Sequence, residues 1–375
     1  MHGNLPGLSI IDMKHSFFIL FMALCISVMG CSKSTDSPVP PTGGGGGGTP
    51  AVKRRPASIG IVGDSANVVR STNGGMVLMG GGTDVDAAFK WMMERNGGGD
   101  VVVLRATGTD AYNRYINGLG SVNSVETLLI NTRELANNDT VAYMIRNAEM
   151  VFIAGGDQSD YMKYWKGTKT EQALNFLLND KKAPVGGTSA GCAILGGFYY
   201  SGETGGLTSA QALTNPYHAN VTLYNNDFLK APYLQNVITD QHYLTRDREG
   251  RSLVFLGRIN KDFSVQAKCI AVDERTAVCI DQNGKAQVFG DYSATRAYSY
   301  AYFIVPDATK QPERFEANLS VNWNNGGKAF SVYEIAASVN GGGSFNVATF
   351  KVNEASGGKW YAWWIDNGVL NKKDQ

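Results

Sequence analysis

Lys182-Ala183-Pro184-Val185-Gly186-Gly187-Thr188-Ser189-Ala190-Gly191-Cys192-Ala193-Ile194-Leu195 decides the reading of this chain. A short buried strand end runs into Gly187-x-Ser189-x-Gly191 and then into an apolar helix start. Small residues on both sides of Ser189 let the main chain turn sharply between strand and helix. Such a turn exposes the hydroxyl and leaves the next N–H, that of Ala190, free for an anionic oxygen. A serine near neutral pH needs a base, normally histidine. The chain offers His2, His15, His218 and His242. The first two lie in or before a stretch that reads as an export signal, and His218 sits in a turn-rich loop without charged neighbours. His242 follows the apolar segment 234–238 within Thr239-Asp240-Gln241-His242-Tyr243, with Arg246, Arg248 and Arg251 close behind. It is the candidate base.

Outward from the serine, the order of elements predicts an α/β fold. Residues 58–63, 75–80, 100–105, 126–130 and 150–154 read as short apolar strands, and 84–96, 112–119, 139–147 and 171–178 as helices, with Asp139 as a helix N-cap. Near-continuously apolar strands alternating with helices predict a mostly parallel sheet sandwiched between helices. Reactive groups gather beyond the carboxyl ends of such strands. Gly155-Gly156-Asp157-Gln158 and Ser189 both fall there. Beyond His242 the pattern changes: residues 268–280 and 287–289 look like hairpins, with Asn283-Gly284 as a strong turn signal. The last eighty or so residues, with alternating segments at 345–352 and 360–365, read as a small C-terminal β appendage that carries no chemistry.

The ends and the composition set bounds. Lys14 and His15 precede an apolar core, residues 17–28, too short to span a bilayer as an ordinary helix, so residues 1–30 read as a signal peptide. Its end, Val28-Met29-Gly30-Cys31, resembles a bacterial lipobox, which implies lipidation of Cys31; Ser32 and Lys33 after it, with no aspartate, suit the outer membrane. A plain secretory signal is the simpler alternative. Residues 31–56, with an unbroken glycine run at 43–48, lack the apolar groups that offset ordering entropy and read as a tether. The 375 residues carry a formal net charge of +1, and removing Asp12 and Lys14 with the signal leaves that unchanged, so no nucleic-acid partner is expected. Of five cysteines, Cys192, Cys269 and Cys279 remain after Cys25 and Cys31; no metal-like spacing is present, and a Cys269–Cys279 pairing stays open.

Gly155-Gly156-Asp157-Gln158, Gly187-Thr188-Ser189-Ala190-Gly191, Asp240-Gln241-His242 with Arg246, Arg248 and Arg251, and Asp273-Glu274-Arg275-Thr276-Ala277 occur in that order across residues 75–290. Together they resemble the cyanophycinase branch of the S51 serine peptidases. The resemblance implies a flavodoxin-like, class I glutamine amidotransferase-like sandwich over residues 57–295, with 296–375 outside it. It also implies a Ser189, His242, Glu274 triad with no metal or cofactor, Asp273 remaining open as third member. Oxyanion donors are expected at Ala190 and Gly156, and substrate contacts at Asp157, Gln158, Asp240, Gln241, Arg246, Arg248 and Arg251. The implied substrate is cyanophycin, a poly-aspartate bearing arginine on each β-carboxyl, cut to β-Asp-Arg dipeptides. A homodimer is a further expectation. Cys192, where alanine is usual, and a long segment between Arg251 and Asp273 depart from the family pattern. Rival readings are an aspartyl dipeptidase of the same family, a GDS-type esterase at Gly63-Asp64-Ser65 that lacks the late Asp-x-x-His, and a surface-binding lipoprotein without turnover, against which the three filled triad positions argue.

Overall fold

Val101-Val102-Val103-Leu104 is apolar at every position because its strand is covered on both faces. Val101 and Val103 pack with Phe89, Met92, Ile116 and Phe152, whereas Val102 and Leu104 join Val141, Ile145 and Leu174 in a different core. Side chains alternate across a strand, so a sheet between two cores needs no polar positions. The computed structural model that shows this describes residues 55–291 and 299–375. The expected signal 1–30, Cys31, nearly all of the tether and the expected boundary at 295 lie outside the described residues.

In chain order the strands are β1 (Ser58–Gly63), β2 (Gly75–Met79), β3 (Asp100–Arg105), β4 (Ser124–Leu129), β5 (Met150–Ile153) and β6 (Val185–Thr188). After the serine come β7 (Phe198–Tyr200), β8 (Leu223–Asn225), β9 (Val237–Gln241), β10 (Lys268–Val272), β11 (Thr276–Asp281) and β12 (Lys285–Gly290). The last are β13 (Tyr300–Pro306), β14 (Phe330–Ala336), β15 (Gly342–Asn346), β16 (Lys359–Asp366) and β17 (Val369–Asp374). One sheet runs β1-β4-β3-β5-β6-β2-β11-β12-β15. Its centre, β4-β3-β5-β6-β2, is parallel, and the strands flanking that centre are antiparallel. The second sheet runs β17-β16-β14-β13-β10-β9-β7-β8 and is parallel only across β10-β9-β7. The architecture is α/β with two mixed sheets.

Several local expectations meet their elements. Helices Ala111–Leu119 and Asp139–Asn147 fall on or one residue from the expected spans, and Asp86–Met93 lies inside the expected 84–96, although the cap of Asp139–Asn147 is Asn138, whose side chain accepts from the N–H groups of Thr140 and Val141. The Asn283-Gly284 turn joins β11 to β12, with Gly284 at φ 80°. Residues 268–280, however, form no hairpin. β10 pairs with β9 and β13, β11 with β2 and β12, and Asp273-Glu274-Arg275 carries the chain from one sheet to the other. Two adjacent apolar runs look alike whether they pair with each other or part company, because periodicity reports burial and not partners. Cys269 and Cys279, on different sheets, are free and buried, as is Cys192.

The β-rich residues expected as an appendage are hydrogen-bonded into both sheets. β13, β14, β16 and β17 extend the second sheet outward from β10, and β15 closes the edge of the first beside β12. Phe303, Ile335 and Phe345 enter one core; Ile304, Phe330, Val332 and Trp363 enter another. Among the described residues no helix is long and apolar enough to cross a membrane. Each buried side chain of that size contributes about 1.5–3 kcal/mol against a net stability of about 5–15 kcal/mol. A chain ending at Asp291 should therefore aggregate or melt without a cooperative transition. A monomeric truncation with an intact thermal transition would show the terminal strands to be dispensable.

Candidate active site

Ser189 joins β6 to the short helix Ala190–Ala193 at φ 52°, ψ −116°, a conformation that an L residue keeps only under constraint. The flanking glycines make room for it. A Cβ on Gly187 would lie 2.5 Å from the Gly191 carbonyl carbon, and one on Gly191 would lie 2.2 Å from the carbonyl oxygen of Ile153. The Ser189 N–H donates to the Met79 carbonyl at 3.1 Å, and its own carbonyl accepts from Ala193 N–H at 2.9 Å. With the Ser189 N–H engaged, Ala190, first in the helix, carries the nearest N–H without an intrahelical acceptor.

His242 follows β9 at φ 49°, and its N–H donates to the Gly80 carbonyl at 2.8 Å. Its Nε2 lies 2.7 Å from Ser189 Oγ and its Nδ1 2.6 Å from Glu274 Oε1. A carboxylate against Nδ1 assigns the proton to that nitrogen and leaves Nε2 to accept from the hydroxyl. Burial pushes the His242 pKa down; the Glu274 hydrogen bond opposes this, the Arg246 and Arg248 charges reinforce it, and the net direction is downward. The imidazole is therefore neutral and basic near pH 7. Asp273, adjacent to Glu274, faces elsewhere: its Oδ1 accepts from the Thr245 N–H at 3.1 Å and hydroxyl at 2.9 Å.

Sequence reading missed the turn after β2. The Gly80 N–H donates to Thr276 at 3.0 Å, and Arg275 N–H donates to the Gly81 carbonyl at 2.9 Å. At Gly81, φ 99°, a Cβ would stand 2.3 Å from His242 Cε1; at Gly82, φ 72°, it would stand 3.1 Å from the Glu274 side chain. The available signal was three consecutive glycines directly after an apolar strand, a mark of close backbone approach.

The remaining expected contacts divide. Gly155 lies close enough to the serine that an added Cβ would be 3.4 Å from Ser189 Cβ, and Gly156 beside it is exposed. Asp157 caps the helix Gln158–Trp165 by accepting from Ser159 N–H at 2.9 Å, an element that Gly155-Gly156-Asp157-Gln158 read as a loop did not announce. Gln158 Nε2 donates to the Tyr200 carbonyl at 3.4 Å. Asp240 and Arg251, expected to meet substrate, instead meet each other. They are 1% and 2% exposed, with Arg251 Nε and Nη2 at 3.0 and 2.5 Å from the Asp240 oxygens and the Ser252 hydroxyl at 2.8 Å. Burial opposes ionisation of Asp240, but the Arg251 charge and hydrogen bond, aided by Arg248, hold the carboxyl below its ordinary range. A carboxylate that completes the planar fork of a buried guanidinium leaves no free receptor there.

Gln241 is also buried, and its main-chain carbonyl accepts from Arg248 Nη1 at 2.8 Å. Arg248 is partly buried, its pKa pulled down to about 10 by burial and then by the Arg251 charge. Arg246 is exposed. Arg246 and part of Arg248 are thus the cations of this series open to a solvent-borne ligand. Among the described residues, no three His, Cys, Asp or Glu side chains cluster to hold a metal ion.

Residues 105–288 match the sequence profile of peptidase family S51. The cyanophycinase of Trichormus variabilis is 26% identical over 184 residues, 49% of this chain and 56% of that protein. The cyanophycinase of Synechococcus elongatus is 25% identical over 204 residues, 53% of this chain and 58% of that one. The chain thus spans little more than half the length of the curated relatives it matches. A solved peptidase from an acI-B1 Actinobacterium aligns over 62% of this chain and 91% of its own, with TM-score 0.44 and 16% identity. A putative peptidase E protein from Listeria monocytogenes aligns over 59% and 100%, with TM-score 0.37 and 16% identity.

The two arginine environments call for opposite outcomes. Arg251→Ala should cost about 3–5 kcal/mol by leaving the Asp240 charge buried and unpaired, whereas Arg246→Ala should change urea stability by less than about 0.5 kcal/mol. Equal stabilities would contradict the buried pair. Because the base must be neutral and its pKa is lowered, any activity through Ser189 should persist below pH 6.5 and fall only as pH drops through the lowered value. Arg246→Gln, which removes a repelling charge, should move that acidic limb upward; a limb unmoved by the substitution would contradict the assignment of His242.

Proposed function

We infer that this chain, a cyanophycinase-like member of peptidase family S51 over residues 105–288, is a serine peptidase in which Ser189, His242 and Glu274 form the catalytic triad. The single observation that carries the reading is the continuous contact from Ser189 Oγ to His242 Nε2, 2.7 Å, and from His242 Nδ1 to Glu274 Oε1, 2.6 Å, on a strained strand-to-helix turn. From the resemblance of its motifs we take the sheet to be sandwiched as in class I glutamine amidotransferases.

In this reading Ser189 Oγ attacks a peptide carbonyl carbon as His242 Nε2 takes the hydroxyl proton. Glu274 stays ionised and stabilises the imidazolium. The negative oxygen of the tetrahedral intermediate accepts from the Ala190 N–H and from the Gly156 N–H across the cleft. His242 then passes its proton to the leaving amine. Water, deprotonated in turn by His242, releases the acyl group and restores the hydroxyl.

The substrate class we propose is cyanophycin, or a closely related aspartyl isopeptide polymer. Arg246 and the exposed part of Arg248 suit a chain that bears one carboxylate per unit. Arg251 and Asp240, buried and paired with each other, are not assigned to substrate. An aspartyl dipeptidase would use the same triad on a shorter substrate. Incubating the purified protein with cyanophycin, and separately with α-aspartyl dipeptides, and following products by mass spectrometry separates the two. Release of β-Asp-Arg should fall at least about 10³-fold in Ser189→Ala. Equal release by wild type and Ser189→Ala would sink the triad; cleavage of the dipeptides alone would move the substrate to the second reading.

A further inference from the structure

Directly behind the proposed nucleophile, two buried polar atoms have no hydrogen-bond partner: Thr188 Oγ1 and Asp84 Oδ1. Thr188 ends β6, precedes Ser189 and is 4% exposed. Asp84 lies on the loop from β2 to the helix Asp86–Met93, and its other oxygen, Oδ2, accepts from the Tyr112 hydroxyl at 2.6 Å. The two side chains are neighbours: burial raises the Asp84 pKa, and the hydroxyls of Tyr112 and then Thr188 oppose that rise. One is a donor and the other an acceptor. Burial makes leaving both unpaired costly, so the hydroxyl is the natural partner of the carboxylate oxygen.

Their setting gives that bond a consequence. Met79 and Thr188 are register partners of β2 and β6, and the Met79 carbonyl receives the Ser189 N–H. The same loop, a few residues before Asp84, receives His242 at Gly80 and Arg275 at Gly81. The Thr188 methyl lies 3.8 Å from where a Cβ on Gly155 would stand.

We propose that Asp84 is a positioning residue for the reaction: Tyr112 anchors its carboxylate, the carboxylate holds the Thr188 hydroxyl, and Ser189 is thereby kept in line with the turn that carries His242. The inference rests on the reading of Ser189 as nucleophile. Asp84 touches neither substrate nor imidazole, so it acts through Thr188 alone. Replacing Thr188 by valine removes the hydroxyl and keeps the methyl contact with the Gly155 loop.

The test is the rate at which a fluorophosphonate labels Ser189, together with the Ser189 Oγ to His242 Nε2 separation in crystal structures of the variants. Asp84→Ala and Thr188→Val should each slow labelling about tenfold or more per folded molecule, as small misplacements of a reacting group do. The double variant should be no slower than the worse single one, because both break one contact. Thr188→Ser should recover most of the rate lost in Thr188→Val, and in Thr188→Val the separation should exceed about 3.5 Å. A purely structural role would lower melting temperatures and leave the rate per folded molecule unmoved. Rates within about twofold of wild type, or losses that multiply in the double variant, would overturn the proposal. Thr188→Val, nearly isosteric, serves if Asp84→Ala does not fold. If wild type takes no label at Ser189, the nucleophile reading fails by itself, and the crystal separation alone decides: 2.7 Å retained in Thr188→Val rejects the positioning role, a lengthened contact upholds it.

Discussion

Three main-chain hydrogen bonds to successive residues of one turn hold the site together: Ser189 N–H to Met79, His242 N–H to Gly80 and Arg275 N–H to Gly81. Ser189, His242 and Glu274 come from distant parts of the sequence and from both sheets. Each is tied, directly or through its neighbour, to the same few atoms of backbone. Ser189, His242 and Arg275 all have positive φ. Such conformations are unfavourable for residues with a Cβ and persist where the surroundings over-determine them; here each strained residue donates its N–H into this turn. Glycine at 81 and 82 lets the imidazole and the carboxylate approach the turn at contact distance. Backbone anchors of this kind place side chains more tightly than loops fixed by packing alone.

Burial then decides which charged groups can act. His242 and Asp240 are almost equally hidden, yet they end in opposite states. The histidine loses its charge, because desolvation and two nearby arginines outweigh one carboxylate. The aspartate keeps its charge, because a guanidinium in direct contact outweighs desolvation. The difference is contact geometry rather than depth: a forked pair in a low-dielectric interior offsets the loss of water, while a single carboxylate on an imidazole flanked by cations does not. The helix Glu249–Phe263 takes Arg251 inward and leaves Arg246, before its start, outside.

Much of this was legible in the sequence because the signals are local. The elbow around Ser189, the choice of His242 among four histidines, and the parallel strands at the centre of the first sheet follow from glycine spacing and apolar runs. The choice between Asp273 and Glu274 was left to family pattern, and the contacts separate them: the first accepts from Thr245, the second from the imidazole. What the sequence concealed was pairing over distance. Arg246, Arg248 and Arg251 look equivalent in a row, and only the fold reveals that one is claimed by Asp240. The segment 268–280 looks like a hairpin until its two strands are seen to choose different sheets. The terminal strands read as separate because their partners, β10 and β12, come from earlier in the chain.

The three sealed thiols carry a consequence for how the molecule ages. Burial pushes the pKa of Cys192, Cys269 and Cys279 upward, so almost no thiolate exists at neutral pH, and thiolate is the species that exchanges or oxidises. Native packing thus works as a protecting group, and these three sulfurs of the described residues would withstand oxidising surroundings without a bridge. Unfolding strips that protection from all three at once. Mispaired sulfurs would then trap the denatured chain, so that durability in such surroundings is governed by the rate of opening rather than by the equilibrium between folded and unfolded forms.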